Sequence, residues 1–201
     1  MSKTVSKNVS KTKIVFFIHG VNTPMTKDFA NYLRNHLPED VLLIVIWWPS
    51  TGTMVGDILH FHEFLRAIGI ARENMEEQIK AVGMPGLVIC HSMGQVVRMH
   101  LSLPPEIPTI SLGGPLHNQF LSRFFRSFGL APRTPKNIIS FYNPDDPIVG
   151  KFPRKLKGAK NVMIDVPDKH PYKDEHEILL YLEDDLVKSC IESCIDKQAH
   201  S

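Results

Sequence analysis

No stretch of this sequence is apolar for long enough to cross a membrane. The longest such run, Val41 to Trp48, has strand length, whereas a helical span needs about 20 residues. The stretch from Met1 to Lys13 carries lysine, serine and threonine but lacks the apolar centre of a secretory signal, so a flexible leader is expected there. Cysteine is scarce. Cys90, Cys190 and Cys194 are too few for a disulfide framework, and the four-residue spacing of the last two, in an expected helix, suits a disulfide poorly. Free thiols fit a reducing, cytoplasmic setting. An excess of charge is missing as well: 23 Lys and Arg against 21 Asp and Glu leave a formal net charge of +2, which gives no general reason to expect nucleic acid as a partner. Repeats and low-complexity tracts are lacking too, which argues against a solenoid or a disordered chain.

What is present suits one buried core. A length of 201 residues with 43% hydrophobic and 22% charged residues is ample for one domain and short for two, so residues 13–201 are expected to form a single domain behind a leader of residues 1–12. Six short apolar runs read as strands: Lys13 to Ile18, Val41 to Trp48, Leu87 to Cys90, Thr109 to Leu112, Asn137 to Tyr142 and Asn161 to Val166. Helical periodicity fills the gaps at Thr26 to Leu37, Val55 to Ile68, Arg72 to Val82, Gln95 to Leu103 and Phe120 to Phe128, with a weak joint at Gly69. A final helix is expected from Ile178 to Ile195, its Glu183, Asp184 and Asp185 facing water. Strands that are apolar throughout need helices on both faces. Their alternation with helices therefore predicts an α/β fold with a doubly wound, mostly parallel sheet of about six strands. In such sheets ligands bind beyond the carboxyl ends of the strands.

One pentapeptide, Cys90-His91-Ser92-Met93-Gly94, joins the third strand to a helix. A serine on so tight a turn, with small residues on both sides, has the layout of a nucleophile elbow, in which the hydroxyl is pushed out to meet a base and a substrate. Here Cys90 stands where glycine is usual. Such a serine needs a base to take its proton and an acid to orient that base. Both are available further along: Asp145 and Asp146 follow the fifth strand, and His170 and His176 follow the sixth.

With these residues the chain resembles the α/β-hydrolase superfamily, in particular compact bacterial lipases that lack the first two strands. His19-Gly20 is similar to the family's HG motif, Leu112-Gly113-Gly114-Pro115 to its L-G-x-P turn, and Asp146-Pro147-Ile148-Val149 to its D-x-x-V, which favours Asp146 over Asp145 as the acid. A narrower resemblance links His19-Gly20-Val21-Asn22, Trp48-Pro49-Ser50-Thr51-Gly52 and His91-Ser92-Met93-Gly94 to largely uncharacterised bacterial α/β-hydrolases. The resemblance implies a serine esterase or lipase-like hydrolase of a small-molecule or lipid ester. Ser92 would be the nucleophile, Asp146 the acid, and the backbone amides of Val21 and Met93 the oxyanion hole, with no cofactor or metal. The base is His170, in the loop after the sixth strand, or alternatively His176, which begins an H-x-x-L-L pattern with Leu179 and Leu180. Thioesterase or acyltransferase chemistry would use the same groups, and a silent fold kept for binding is the reading of another class.

Three further features carry less weight. The Phe120 to Phe128 segment, with Arg123 and Arg126, is expected to pack its aromatic face on the sheet, the other options being a flap or a contact with a membrane surface. His60, His62 and His100 resemble no metal-ligand set, and the basic run Lys151, Arg154, Lys155, Lys157 and Lys160 reads as solvated.

Overall fold

The computed structural model describes residues 13–21, 31–35, 37–50, 53–128, 137–150, 153–167 and 178–198. The expected leader therefore lies outside the described residues. Six strands form one sheet in the order β2-β1-β3-β4-β5-β6: β1 (Lys13–Ile18), β2 (Val41–Ile46), β3 (Leu87–His91), β4 (Thr109–Leu112), β5 (Ile138–Tyr142) and β6 (Lys160–Met163). Every pairing is parallel. Helices connect them: α1 (residues 31–35), α2 (Met54–Leu59), α3 (Phe61–Val82), α4 (Gly94–His100), α5 (Gln119–Ser127), α6 (Ile178–Leu182) and α7 (Asp185–Gln198).

The two-residue pleat explains the layering. Phe16 and Ile18 of β1, with Val88 and Cys90 of β3, enter a core shared with α3, α4 and α5. Their neighbours Val15, Phe17, Leu87 and Ile89 enter a second core shared with α1, α6 and α7. All eight are at most 1% exposed, and burying side chains of this size stabilises by roughly 1.5–3 kcal/mol each. The strand order reverses at β1, whose neighbours on either side are β2 and β3. The carboxyl ends of β1 and β3 are therefore the topological switch point.

Four boundaries differ from those read in the sequence. Gly69 does not interrupt α3; a Cβ there would meet nothing within 4 Å, and a lone glycine costs only about 1 kcal/mol against the buried stripe Phe64, Ala67, Ile68, Ala71 and Met75. The break falls at His60, whose backbone (φ −100, ψ 50) ends α2. The final helix is two helices, because the Asp184 carboxylate accepts from the N–H groups of Leu186 and Val187 and so caps α7. Asp184 is accordingly half-buried rather than free in water. At the sheet edge β6 stops at Met163, with one further bond from Ile164 N–H to the Tyr142 carbonyl. β2 ends at Ile46, and the fully buried Trp48 beyond it donates its indole N–H to the His19 carbonyl (2.9 Å).

Candidate active site

The turn from β3 to α4 occupies two residues, Ser92 and Met93. Among the described non-glycine residues Ser92 alone has a positive φ, +54°. That left-handed conformation costs an L-residue roughly 1–2 kcal/mol, so the surrounding contacts must hold it. They do so through backbone. Ser92 N–H donates to the Leu112 carbonyl of β4 (3.0 Å), and the Ser92 carbonyl accepts from Gln95 N–H (2.9 Å). On the other side the end of β1 passes directly against the elbow. A Cβ on Gly20 would lie 2.6 Å from the Ser92 Cβ and 3.2 Å from its Oγ, and one on Gly94 would lie 2.7 Å from the His19 carbonyl oxygen and closer still to that of Ile18. Only glycine fits at these two positions, which brings His19-Gly20-Val21 alongside the hydroxyl. Met93 opens α4 with its side chain fully buried.

Cys90, at the place where glycine is usual, is tolerated because its thiol turns into the core. Burial pushes that thiol up to about 12, against smaller opposing effects of a hydrogen bond with Ser111 and the charge of Arg98. It is a packing group beside the elbow, not a second nucleophile.

Two strands away, the turn after β5 buries Asp146 completely and leaves Asp145 exposed. Asp146 Oδ1 accepts from the N–H groups of Ile148 (2.8 Å) and Val149 (3.3 Å), and Oδ2 accepts from the Tyr181 hydroxyl (2.8 Å). Asn143 shapes the turn: its side-chain oxygen accepts from Asp145 N–H and its carbonyl from Asp146 N–H. Tyr181 arrives from α6 and also accepts from Asn143 N–H (3.3 Å), and its ring fills the space above Gly113, where a Cβ would fall 2.9 Å from it. Burial first, then the charge of Asp146 and the hydrogen bond to it, raise the Tyr181 phenol well above its ordinary range, so it stays protonated as a donor. His170 and His176 lie outside the described residues, in the segment between Pro167 and Ile178.

Beneath the elbow runs a buried polar network that sequence reading missed. The fully buried Gln95 amide donates to Ser111 Oγ (2.8 Å) and accepts from Leu116 N–H (3.0 Å). Ser111 is in register with Ser140 on β5, and the Ser140 hydroxyl bonds His117 Nε2 (2.7 Å). His117 Nδ1 lies 2.9 Å from the Arg154 carbonyl, which assigns the proton to Nδ1. Burial lowers the His117 pKa, so the ring is neutral and suited to both bonds. One signal was legible: a serine within each of two mostly apolar strands, Ser111 in β4 and Ser140 in β5. Gly114 has its glycine for the same reason, since any Cβ would enter the Gln95 amide.

Among the described residues, five further histidines lie outside this network. His19 stacks on Trp48 (ring centroids 5.4 Å apart), with Nδ1 2.6 Å from the Gly20 carbonyl, and burial lowers its pKa. The buried His91 ring lies 6.5 Å from that of Tyr181. His100 Nδ1 bonds the Val96 carbonyl, while His60 and His62 are exposed beside Glu63. On α5 the aromatic face is divided. Phe125 is buried in the core, while Phe120 and Phe128 are 74% and 51% exposed, Phe128 resting on Phe61 and Phe124. The cap of this helix, Asn118, donates to the Ile148 carbonyl and so ties α5 to the Asp146 turn. Among the described residues no helix is long and apolar enough to cross a membrane.

No protein-family model and no curated protein sequence matches the chain. Solved structures do. The chain is similar to esterase PE8, with 11% identity and a TM-score of 0.58 over 94% of this chain and 93% of that one. It is also similar to Est1E from Butyrivibrio proteoclasticus, with 15% identity and a TM-score of 0.57 over 95% of this chain and 91% of that one. Identities this low speak to architecture. The chain has a minimal α/β-hydrolase fold, a six-stranded parallel sheet between two helical layers, and shares it with these esterases.

Proposed function

We propose that the protein is a serine hydrolase that cleaves a carboxylic ester, of a small molecule or a lipid, through an acyl-enzyme intermediate. The observation that carries the reading is Ser92 itself, held at φ +54 on a strand-to-helix turn with Gly20 and Gly94 against it. Packing alone has no need of a strained serine there, since glycine would adopt that conformation at no cost. A nucleophile does need it, because in an elbow that conformation directs the hydroxyl toward the switch point, where Ser92 is 2% exposed.

The roles follow from the chemistry of acyl transfer. Ser92 Oγ attacks the carbonyl as His170, or alternatively His176, takes its proton. The same imidazole then returns the proton to the leaving alcohol, and in a second round activates the water that frees the acid. Asp146 orients the ring and stabilises its charged form. β5 lies two strands from β3, about 9–10 Å away, a gap that one imidazole and its two hydrogen bonds can bridge. The amides of Val21 and Met93 hold the developing oxyanion. Neither a metal nor a cofactor enters these steps, and thioesters or acyl acceptors other than water would be served by the same groups.

The test is labelling by a fluorophosphonate probe together with hydrolysis of short p-nitrophenyl esters. Both are expected in the wild type and lost in Ser92→Ala. Comparing His170→Ala with His176→Ala identifies the base, since only one of them should abolish turnover. A folded wild type that never labels would refute the enzyme reading and leave a silent fold used for binding.

A further inference from the structure

At the opposite, amino end of the sheet lies a cavity of about 720 Å³, within the usual size range of small-molecule sites. It is separated from Ser92 by the length of β3, about 15 Å. Ile107 and Ile138 give it an apolar floor. Lys160, the first residue of β6, and Lys197 of α7 set two ammonium groups on its wall against one carboxylate, that of Glu106. Cys194, 8% exposed, opens onto the same space from α7.

Cys194 is not isolated there. One helical turn back on α7 stands Cys190, and Lys197 follows Cys194 by three residues. The Cys190 S–H donated to the Cys194 sulfur, with help from the charge of Lys197, outweighs burial and brings Cys194 down to about 7. Cys190 moves the other way, as the partner that keeps its proton. Nothing in the proposed hydrolysis uses these groups.

We propose that Cys194 is a modification site, at which its thiolate exchanges with the disulfide of a small anionic molecule admitted to this cavity. The sulfur of Cys194 attacks one sulfur of the incoming disulfide. A new S–S bond forms, the old one breaks, and the displaced thiolate leaves with the electron pair, so the incoming disulfide is the only oxidant required. The two lysines select for negative charge on the incoming molecule. Cys190 does not resolve the product. Side chains four apart on a helix are about 5–6 Å apart at Cβ, whereas a disulfide needs about 3.5–4.5 Å, so the mixed disulfide persists until an external thiol removes it. This inference is independent of the role of Ser92.

The full-length protein at pH 7 and low salt is treated with oxidised glutathione, which is anionic, or with cystamine, which is cationic, and each cysteine is followed by peptide mass spectrometry. Modification is expected first at Cys194. Its glutathione-to-cystamine rate ratio should be about tenfold above that of the same cysteine in urea-unfolded chain. Raised salt should narrow the ratio in the wild type, and Lys160→Gln with Lys197→Gln should abolish the excess. Cys190→Ala should slow the reaction at pH 7 and shift its pH midpoint upward, with Cys190→Ser, which restores a donor, recovering part of the rate. Equal modification of Cys190, or a ratio unmoved by folding and by salt, would overturn the proposal. Cys90, fully buried, is the internal reference expected to stay unmodified.

Discussion

The two ends of the sheet put a nucleophilic side chain in place by different means. At the carboxyl end Ser92 is held by backbone from distant parts of the chain: Gly20 and the carbonyls of Ile18 and His19 on one side, the Leu112 carbonyl on the other, the Gln95 network below. Its neighbours are buried, and its own backbone is strained. At the amino end Cys194 draws its character from residues of its own helix, Cys190 and Lys197, beside an open cavity. A site assembled from remote backbone can store strain, because many contacts share the load. One assembled from a single helix turn cannot, and works by local charge. Substitutions should therefore be far more damaging at the carboxyl end.

The sharpest way to break that comparison is Ser92 itself. Ser92→Ala is expected to lower ester hydrolysis by about 10³-fold or more while leaving stability nearly unchanged, since alanine bears the same φ penalty. Ser92→Gly should be as inactive yet more stable by about 1 kcal/mol, measured by urea unfolding, because it releases the strain. Next comes Gly94→Ala, which would press a methyl group into backbone oxygens and should destabilise by about 3 kcal/mol. Tyr181→Phe removes a donor from the buried Asp146 carboxylate and should cost about 1–3 kcal/mol, with kcat falling more than KM.

Acid should act on the same end. Burial lowers the pKa values of His19 and His117 below 6.5, so the native rings stay neutral while an unfolded chain takes up protons as pH falls past 6.5. Their contribution to stability is full above 6.5 and is lost as pH falls toward the lower native values. Unfolding free energies compared between pH 7.5 and pH 5.5 should show this loss, and His117→Gln should reduce the slope. The smallest effect is a contrast in kind: Gly69→Ala, at an open helix position, should stabilise by about 0.5–1 kcal/mol where Gly94→Ala destabilises.

Much of this was legible before folding. Strands apolar on both faces can only be buried between helical layers, so the sequence determined the α/β class and the parallel sheet. The spacing around Ser92 determined a strand–serine–helix turn, and the D-P-I-V run singled out Asp146, which the fold then buries while leaving Asp145 exposed. Local signals misled where packing outweighed them. Gly69 looked like a joint, but the buried stripe of α3 carries the helix past it. Asp184 looked like a solvated acid and is a cap. Tertiary structure alone decided what surrounds the serine: the Gly20 approach, the Gln95–Ser111–Ser140–His117 network and the Tyr181 bond to Asp146; at the other end of the sheet it alone brought Cys194 and Lys160 to one cavity. Periodicity reports which face of an element is buried. It is silent on which residue of a remote element lies opposite, because that is set by strand order and register, and these exist only once the whole sheet has closed.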